Sequence, residues 1–138
     1  MKIEDFVARI TFTRKRTGIM LLDESNSEVL SQMTSLGLFV YDLATQAGGQ
    51  VIISDDALLN LMHEASLGKP TVFLNLEMHL APRFQESTYL KNLLPKLIHS
   101  EPIQPIFLLF YSKPLYLKFK SYYENNAGTF DHWFESEL

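Results

Sequence analysis

The chain has 138 residues, a net charge of −4 and no cysteine, and these values exclude several classes of protein. The length fits a single domain, 1–138. The acidic balance disfavours nucleic acid as the partner, because phosphate binding needs clustered Lys and Arg. Without cysteine there is no disulfide framework and no thiolate nucleophile. The charged N-terminus lacks a signal-peptide core, and no apolar run reaches membrane-spanning length, so the sequence predicts a cytoplasmic protein.

Five apolar runs predict the strands of this chain: 7–13, 18–22, 51–54, 71–76 and 106–111. The first run alternates weakly and carries β-branched residues. It predicts a short strand at an edge or, as the alternative, the end of an N-terminal helix. The run 18–22 is continuously apolar, as is typical of a strand that is buried on both faces of a sheet, and the other three runs are mostly apolar.

Stretches with helical periodicity separate most of these runs. The longest continues from Val29 to Ala47, preceded by Ser25 and Glu28 in the spacing of a capping box and ended by Gly48-Gly49. The remaining predicted elements are helices over 55–65, 87–98 and 114–123, a loop over 77–85, and a terminal turn or short helix over 129–134.

The alternation of strands and helices is typical of a parallel sheet with right-handed crossover connections. The sequence therefore predicts the α/β class. We expect a three-layer α/β/α sandwich around a mostly parallel sheet of four or five strands, of the Rossmann or flavodoxin-like type.

Acidic residues follow three of the predicted strands: Asp23, Asp55 and Glu77. Because the carboxyl ends of parallel strands share one edge of the sheet, we expect these side chains on that edge. Carboxylate oxygens are ligands that Mg²⁺ prefers, so one interpretation is a magnesium site for phosphoryl transfer. The alternative is structural, because acids near helix N-termini cap the helix and are stabilised by its dipole. No other cofactor is expected.

Motifs for nucleotide binding and acyl transfer are missing from the sequence. Gly48-Gly49 follows a helical pattern and not a strand, and neither G-x-x-x-x-G-K-[ST] nor G-x-G-x-x-G occurs. No G-x-S-x-G nucleophile elbow occurs either. The sequence therefore points to no catalytic residue.

Aromatic residues are concentrated near the C-terminus, and five of them are candidates for contact with a partner: Tyr116, Phe119, Tyr123, Trp133 and Phe134. Tyr and Trp are enriched at protein interfaces because they combine a large apolar area with a polar tip. The alternative is that these rings pack the last helix against the core.

Several segments resemble the receiver domains of response regulators. The stretch 19–24 is similar to their first strand and acidic pair, 71–78 is similar to the strand that carries their phosphoacceptor, and Ser112 with Lys113-Pro114 resembles their hydroxyl and Lys-Pro positions. Receivers are doubly wound signalling domains that take a phosphoryl group on an aspartate with Mg²⁺. Asn75 stands at the phosphoacceptor position. The resemblance therefore implies a pseudo-receiver that regulates through its surface and without phosphorylation.

Three functions follow from these observations. The favoured one is a small non-catalytic module, such as a regulator, an inhibitor or immunity protein, or an assembly subunit, that binds another protein through the aromatic C-terminal helix. The acidic net charge suits a basic partner, and a homodimer is a further expectation. The second is a Mg²⁺-dependent phosphoryl-transfer enzyme. The third is a nucleic-acid accessory protein that uses a basic triplet and the C-terminal lysines, namely Arg14, Lys15, Arg16, Lys113, Lys118 and Lys120. No membrane partner is expected.

Overall fold

A computed structural model describes residues 2–12, 16–23, 27–85, 93, 96–97, 102–127 and 133–135, without the side chains of 84, 85 and 122–127. Within these residues the strands are β1 (Thr17–Leu21), β2 (Phe39–Asp42), β3 (Thr71–Leu74), β4 (Ile106–Phe110) and β5 (Trp133–Glu135). The helices are α1 (Ile3–Phe12), α2 (Glu28–Ser35), α3 (Leu43–Gln46), α4 (Asp55–Ala65), α5 (Leu76–Leu80) and α6 (Lys113–Ala127), with a 3₁₀ turn at Ala81–Gln85.

The five strands form one sheet in the order β2-β3-β4-β1-β5, and every pairing in it is parallel. Thr17 is in register with Ile106, Ile106 with Thr71, and Thr71 with Phe39, so the amino ends of four strands form one row. The predicted fold class, a three-layer sandwich around a parallel sheet, is confirmed.

Two apolar layers cover the sheet. On one face, α1 and α2 pack against side chains of the sheet that include Met20, Val72 and Phe107. On the other face, α3, α4, α5 and α6 pack against a set that includes Ile19, Phe73 and Leu108. Central strands buried on both faces explain why their sequences are continuously apolar.

The first apolar run forms the end of a helix, which was the alternative to the predicted strand at 7–13. Ile3, Phe6 and Ile10 are the buried residues of α1, and they lie on one face because helical residues three or four positions apart are neighbours. Glu4 and Asp5 occupy the first turn, where the helix dipole favours negative charge.

The single helix predicted up to Ala47 is wrong, because the segment contains α2, β2 and α3. Helix α2 ends at Ser35, and Gly37 follows with φ +92, a conformation that side chains other than glycine rarely adopt. Strand β2 then begins at Phe39, whose N–H donates to Pro70 O at 2.8 Å. The apolar residues of this segment fit helical spacing, but pairing with β3 decides the conformation.

Two further predictions are wrong. The run 51–54 forms no strand and leads irregularly into α4, and Trp133 lies in β5, parallel to β1, where a turn or helix was predicted. The predicted loop 77–85 contains α5 and the 3₁₀ turn. In contrast, the predicted strands 18–22, 71–76 and 106–111 and the helices 55–65 and 114–123 correspond to β1, β3, β4, α4 and α6.

Part of one predicted helix, 87–98, lies outside the described residues, as does the capping residue Ser25. Of the described residues in that helix, Leu93, Lys96 and Leu97 are helical, and Leu93 and Leu97 belong to the core.

Candidate functional site

The carboxyl ends of β1 and β4 are where an open parallel sheet of this topology places a ligand. The chain leaves β1 toward α2 on one face and leaves β4 toward α6 on the other face. Connections that diverge in this way open a crevice between the two strand ends. The groups in and around that crevice therefore show what chemistry the fold supports.

Glu77, in α5 after β3, places its carboxylate at the carboxyl end of β4. Its Oε1 accepts from Tyr111 N at 3.2 Å and its Oε2 accepts from Ser112 N at 2.9 Å, and both donors lie directly before α6. The N-terminus of a helix is a general anion-binding site. Here an internal carboxylate accepts the hydrogen bonds that an anionic ligand would otherwise receive.

Asp42 and Asn75 connect the carboxyl ends of β2 and β3. Asn75 Nδ2 donates to Asp42 Oδ1 at 2.8 Å, and the same oxygen accepts from Ala44 N at the start of α3. The hydrogen bond from Asn75 is the main cause that holds the pKa of Asp42 below its ordinary value. Asn75 has φ +61, a left-handed conformation that Asn tolerates better than most residues. The pair serves as a helix cap and a strand-end brace.

Arg83 holds the irregular segment before α4 in place. Its side chain is buried; Nε donates to Asp55 Oδ1 at 2.8 Å, and Nη2 donates to the carbonyls of Ile52 and Ile53 at 2.7 and 2.8 Å. Nη1 donates to His79 O. These contacts satisfy carbonyl groups that have no strand partner, which explains how an apolar segment remains outside the sheet.

His79 is fully buried beside Arg83 and fastens the same segment. Its Nδ1 accepts from Ile52 N at 3.0 Å, so Nε2 carries the proton and lies 3.3 Å from Leu43 O. Burial lowers the pKa of His79, and the charge of Arg83 lowers it further, while the contact with Leu43 works in the opposite direction. A neutral, fully hydrogen-bonded imidazole is consistent with a structural role.

The three residues predicted as metal ligands do not form a shared site. Asp55 pairs with Arg83, and Glu77 caps the approach to α6. Asp23 also has an interaction partner. Among the residues that the structure describes, no three His, Asp or Glu side chains are grouped so that they could hold a metal ion. Asp55 and Glu77 instead fit the structural alternative, in which acidic residues stabilise the N-termini of helices.

The aromatic residues predicted to contact a partner mostly lie in the core. Tyr116 and Phe119 are fully buried, and Phe134 is 7% exposed, so their side chains offer no surface to another molecule. Trp133 is half-buried and packs edge-to-face against Tyr116 and Phe119. The side chain of Tyr123 lies outside the described residues. Core packing, the alternative interpretation, accounts for the buried rings because α6 needs an apolar face against β4.

A polar contact accompanies this aromatic layer. Tyr116 Oη donates to Glu135 Oε1 at 3.0 Å, and Lys120 Nζ lies 3.5 Å from the same oxygen. Lys120 Nζ also lies 5.4 Å from the ring centre of Trp133, within the range of a cation–π interaction. The end of β5 is therefore tied to α6 by both charge and ring contacts.

Exposed apolar side chains are concentrated at the opposite edge of the sheet, where the strands begin. Among the described residues, eight large apolar side chains are exposed, namely Phe12, Leu36, Phe39, Val51, Ile53, Leu67, Ile103 and Leu117. Four of the eight lie in the connections that lead into β1, β2, β3 and β4, and we call these four the amino-end surface: Phe12, Leu36, Leu67 and Ile103.

Basic side chains accompany the amino-end surface. Arg16 lies directly before β1 and donates from Nη1 to Ile103 O at 2.6 Å, and the exposed Lys69 lies two residues before β3. Glu64, in the last turn of α4, is exposed at the same end. The described carboxylates of Asp23, Asp42, Asp55 and Glu77 lie at the other end, where the strands finish and α3 and α4 begin.

Sequence reasoning missed Asp42, Arg83 and Glu135 as members of polar contacts. Asp42 was hidden inside a predicted helix, and a recognised β2 would have placed it at a strand end. Arg83 gave no signal, because nothing local in the sequence distinguishes an arginine that will be buried from one on the surface.

No protein-family model, curated protein or solved structure matches this chain. The strand order adds no support to the receiver resemblance, because receivers use the order 2-1-3-4-5 whereas β1 here lies between β4 and β5. Within the described part of the chain, every helix is too short or too polar to cross a bilayer.

Proposed function

We propose that this protein is a non-catalytic interaction module that binds another protein through its amino-end surface. One observation supports this function above the others: the polar groups around the strand carboxyl ends serve the protein's own structure. Asp42, Asp55 and Glu77 each accept hydrogen bonds from this chain, and His79 is buried with both ring nitrogens in contact with backbone groups. A catalytic group needs a free position for substrate.

The amino-end surface supplies the apolar area that a protein interface needs. Phe12 is 87% exposed and Ile103 is 61% exposed, values that are costly for large apolar side chains in water. Exposed apolar groups with polar groups around them are typical of interaction sites. The aromatic C-terminal helix contributes less, because Tyr116 and Phe119 are already in the core.

The partner that fits this surface carries apolar side chains with acidic residues around them. Arg16 and Lys69 lie beside the amino-end surface, and charge complementarity guides both the encounter and the choice of partner. The net charge of −4 favours a basic partner for the molecule as a whole. The charges next to the exposed apolar groups favour an acidic one, and they are the charges that a docked partner meets.

Affinity capture with matched variants tests this function. The bait is the full chain, either unchanged or with Phe12→Glu and Ile103→Glu together, and Leu117→Glu is the control because Leu117 is 46% exposed on α6, away from the strand starts. We expect the unchanged chain and the control to capture the same protein in stoichiometric amount. The double variant should not capture it. The complex must then form again from purified components.

Circular dichroism and thermal unfolding show whether the double variant is folded. The proposed surface is supported if the double variant lowers the affinity of the reconstituted complex at least tenfold, and if high salt lowers the affinity of the unchanged complex. A complex that is insensitive to Phe12→Glu and Ile103→Glu contradicts it. The non-catalytic function would be contradicted if the unchanged chain turned over a phosphoryl substrate in the presence of Mg²⁺ and Glu77→Gln abolished that activity.

A further inference from the structure

In the described part of the chain, strand β2 (Phe39–Asp42) forms one edge of the sheet and has a neighbour, β3, on one side only. The N–H of Phe39 donates to Pro70 O, so the backbone of Phe39 faces β3. Alternate residues of a parallel strand face the same neighbour, so Tyr41 faces β3 as well. The backbone N–H and C=O of Val40, the residue between them, therefore point away from the sheet.

This edge strand is short, with four residues, but it lacks the other features in its own sequence that usually prevent a strand from pairing with another chain. Protected edges carry lysine, proline, a bulge or an exposed charge. Phe39, Val40 and Tyr41 are uncharged, and Phe39 is 45% exposed. The one charge, on Asp42, is directed inward: Oδ1 accepts from Asn75 and Ala44, and Oδ2 accepts from Thr45. An approaching strand meets an open pair of backbone groups. Burial raises the pKa of Tyr41, and the charge that acts on this edge, that of Glu64 on α4, raises it further.

We propose that β2 pairs antiparallel with β2 of a second copy of this chain, about a two-fold axis through Val40. Open N–H and C=O groups require a strand as the occupant. An identical strand fits this edge because pairing at Val40 places the exposed Phe39 of each copy beside Tyr41 of the other, and because a two-fold interface uses the same patch twice. This dimer is separate from partner binding at the amino-end surface.

The register follows from the backbone groups that are already in use. Leu38 N donates to Met33 O, and Asp42 begins α3, so the free backbone groups are centred on Val40. Pairing of Val40 with Val40 places Phe39 of each copy opposite Tyr41 of the other. Phe39 and Tyr41 already lie 6.2 Å apart in one chain, so the dimer joins four rings on one face. Aromatic cross-strand pairs are among the stabilising ones.

A single introduced cysteine tests this register directly, because the chain has none of its own. Across a hydrogen-bonded antiparallel pair the Cα atoms are about 5.5 Å apart, within the range that a disulfide spans. We expect Val40→Cys to give a covalent dimer under mild oxidation at about 100 µM protein. Leu117→Cys, at a site on α6 that is 46% exposed, is the control and should stay monomeric.

Sedimentation equilibrium tests the association without a cross-link. Phe39→Lys puts a charge beside the two-fold axis in both copies and should weaken the dimer by about tenfold or more. Two controls, Leu117→Lys and the double variant Phe12→Glu with Ile103→Glu, should leave the dimer affinity unchanged. Circular dichroism confirms that each variant is folded. A four-residue edge gives a weak interface, so the unchanged chain is measured up to about 1 mM.

Any one of three results would overturn the dimer. The first is that the unchanged chain remains monomeric over the whole concentration range. The second is a dimer that Phe39→Lys does not weaken, and the third is a covalent product that forms as readily from Leu117→Cys as from Val40→Cys.

Discussion

At the scale of single residues, the polar side chains of this protein mainly hold connections in place. Arg83 and His79 together fasten the segment 51–54 to α5 and the 3₁₀ turn. The imidazole must be neutral to accept the hydrogen bond from Ile52 N, because a protonated ring has two donors and no acceptor. Protonation would also place a second cation next to the guanidinium of Arg83.

The free energy of unfolding should therefore fall in mild acid. The pKa of His79 is lower in the folded protein than its ordinary value of 6.5, so the unfolded chain binds the proton more readily. The stabilisation is complete above pH 6.5 and is lost as the pH falls from 6.5 toward the folded-state pKa. The decline is at most about 1.4 kcal/mol per pH unit, as measured by urea unfolding between pH 8 and pH 5.

His79→Gln is the variant that isolates this effect. A Gln side chain can accept from Ile52 N and does not titrate. The variant should be less stable at pH 7.5 and should depend less on pH between 7 and 5. Equal pH dependence of the two proteins would show that His79 does not titrate on unfolding.

At the scale of elements, the contact between α1 and β1 depends on one glycine. A Cβ atom on Gly18 would lie 2.9 Å from Phe6 Cζ and 3.0 Å from both Ile10 Cγ1 and Phe107 Cδ1. Real Cβ atoms essentially never approach other heavy atoms as closely as 2.9 Å, so the ring of Phe6 must shift if a side chain is added, and Ile10 and Phe107 must give way. Side chains of α1 therefore pack directly on the backbone of β1 at Gly18.

Gly18→Ala should lower the free energy of unfolding by about 1–3 kcal/mol, the usual cost of overpacking a core. Gly68→Ala is the matched control, since no atom lies within 4 Å of its Cβ position and its backbone is not in the left-handed region. We expect the control to be neutral or slightly stabilised. Urea unfolding measures both, and equal effects of the two substitutions would contradict the close packing of α1.

The elements that the sequence predicted correctly are those whose pattern matches their burial. Strands β1 and β4 are continuous apolar runs because helices cover them on both faces. Strand β2 was missed because its residues also continue the helical spacing of α2. The segment 51–54 resembles a buried strand in composition, but Arg83 and His79 occupy its backbone groups.

At the scale of the whole molecule, one sheet lies between the two apolar layers, so disruption of either layer exposes the other. The single tryptophan, Trp133, lies in β5 and contacts Tyr116 and Phe119 on one face, whereas Phe6 of α1 packs on the opposite face. Both layers contact β1, which is paired with β4 and β5. We therefore expect a single cooperative unfolding transition.

Tryptophan fluorescence and far-ultraviolet circular dichroism should then give the same urea midpoint, as two-state behaviour requires. Gly18→Ala, which perturbs the face opposite Trp133, should move both midpoints together. A fluorescence transition that precedes the circular dichroism transition, or that Gly18→Ala leaves in place, would mean that the two layers unfold separately.

The sequence by itself determined the α/β class, the parallel sheet and the positions of β1, β3, β4, α4 and α6, because hydrophobic periodicity and glycine or proline signals act locally. It also placed Asp55 and Glu77 at the sheet edge where the strands end, although the strand predicted before Asp55 does not form. Only the tertiary structure decided what those acids do, since their partners Arg83 and Ser112 are 28 and 35 residues away in the chain.

The tertiary structure likewise decided which aromatic residues are buried and which strand forms the edge. Burial of Tyr116 depends on β4, β5 and α6 meeting on one face, and the order β2-β3-β4-β1-β5 is not written in any local pattern. Strand order follows from the way both faces of the sheet are covered at once. That requirement involves the whole chain, which is why local periodicity could not supply it.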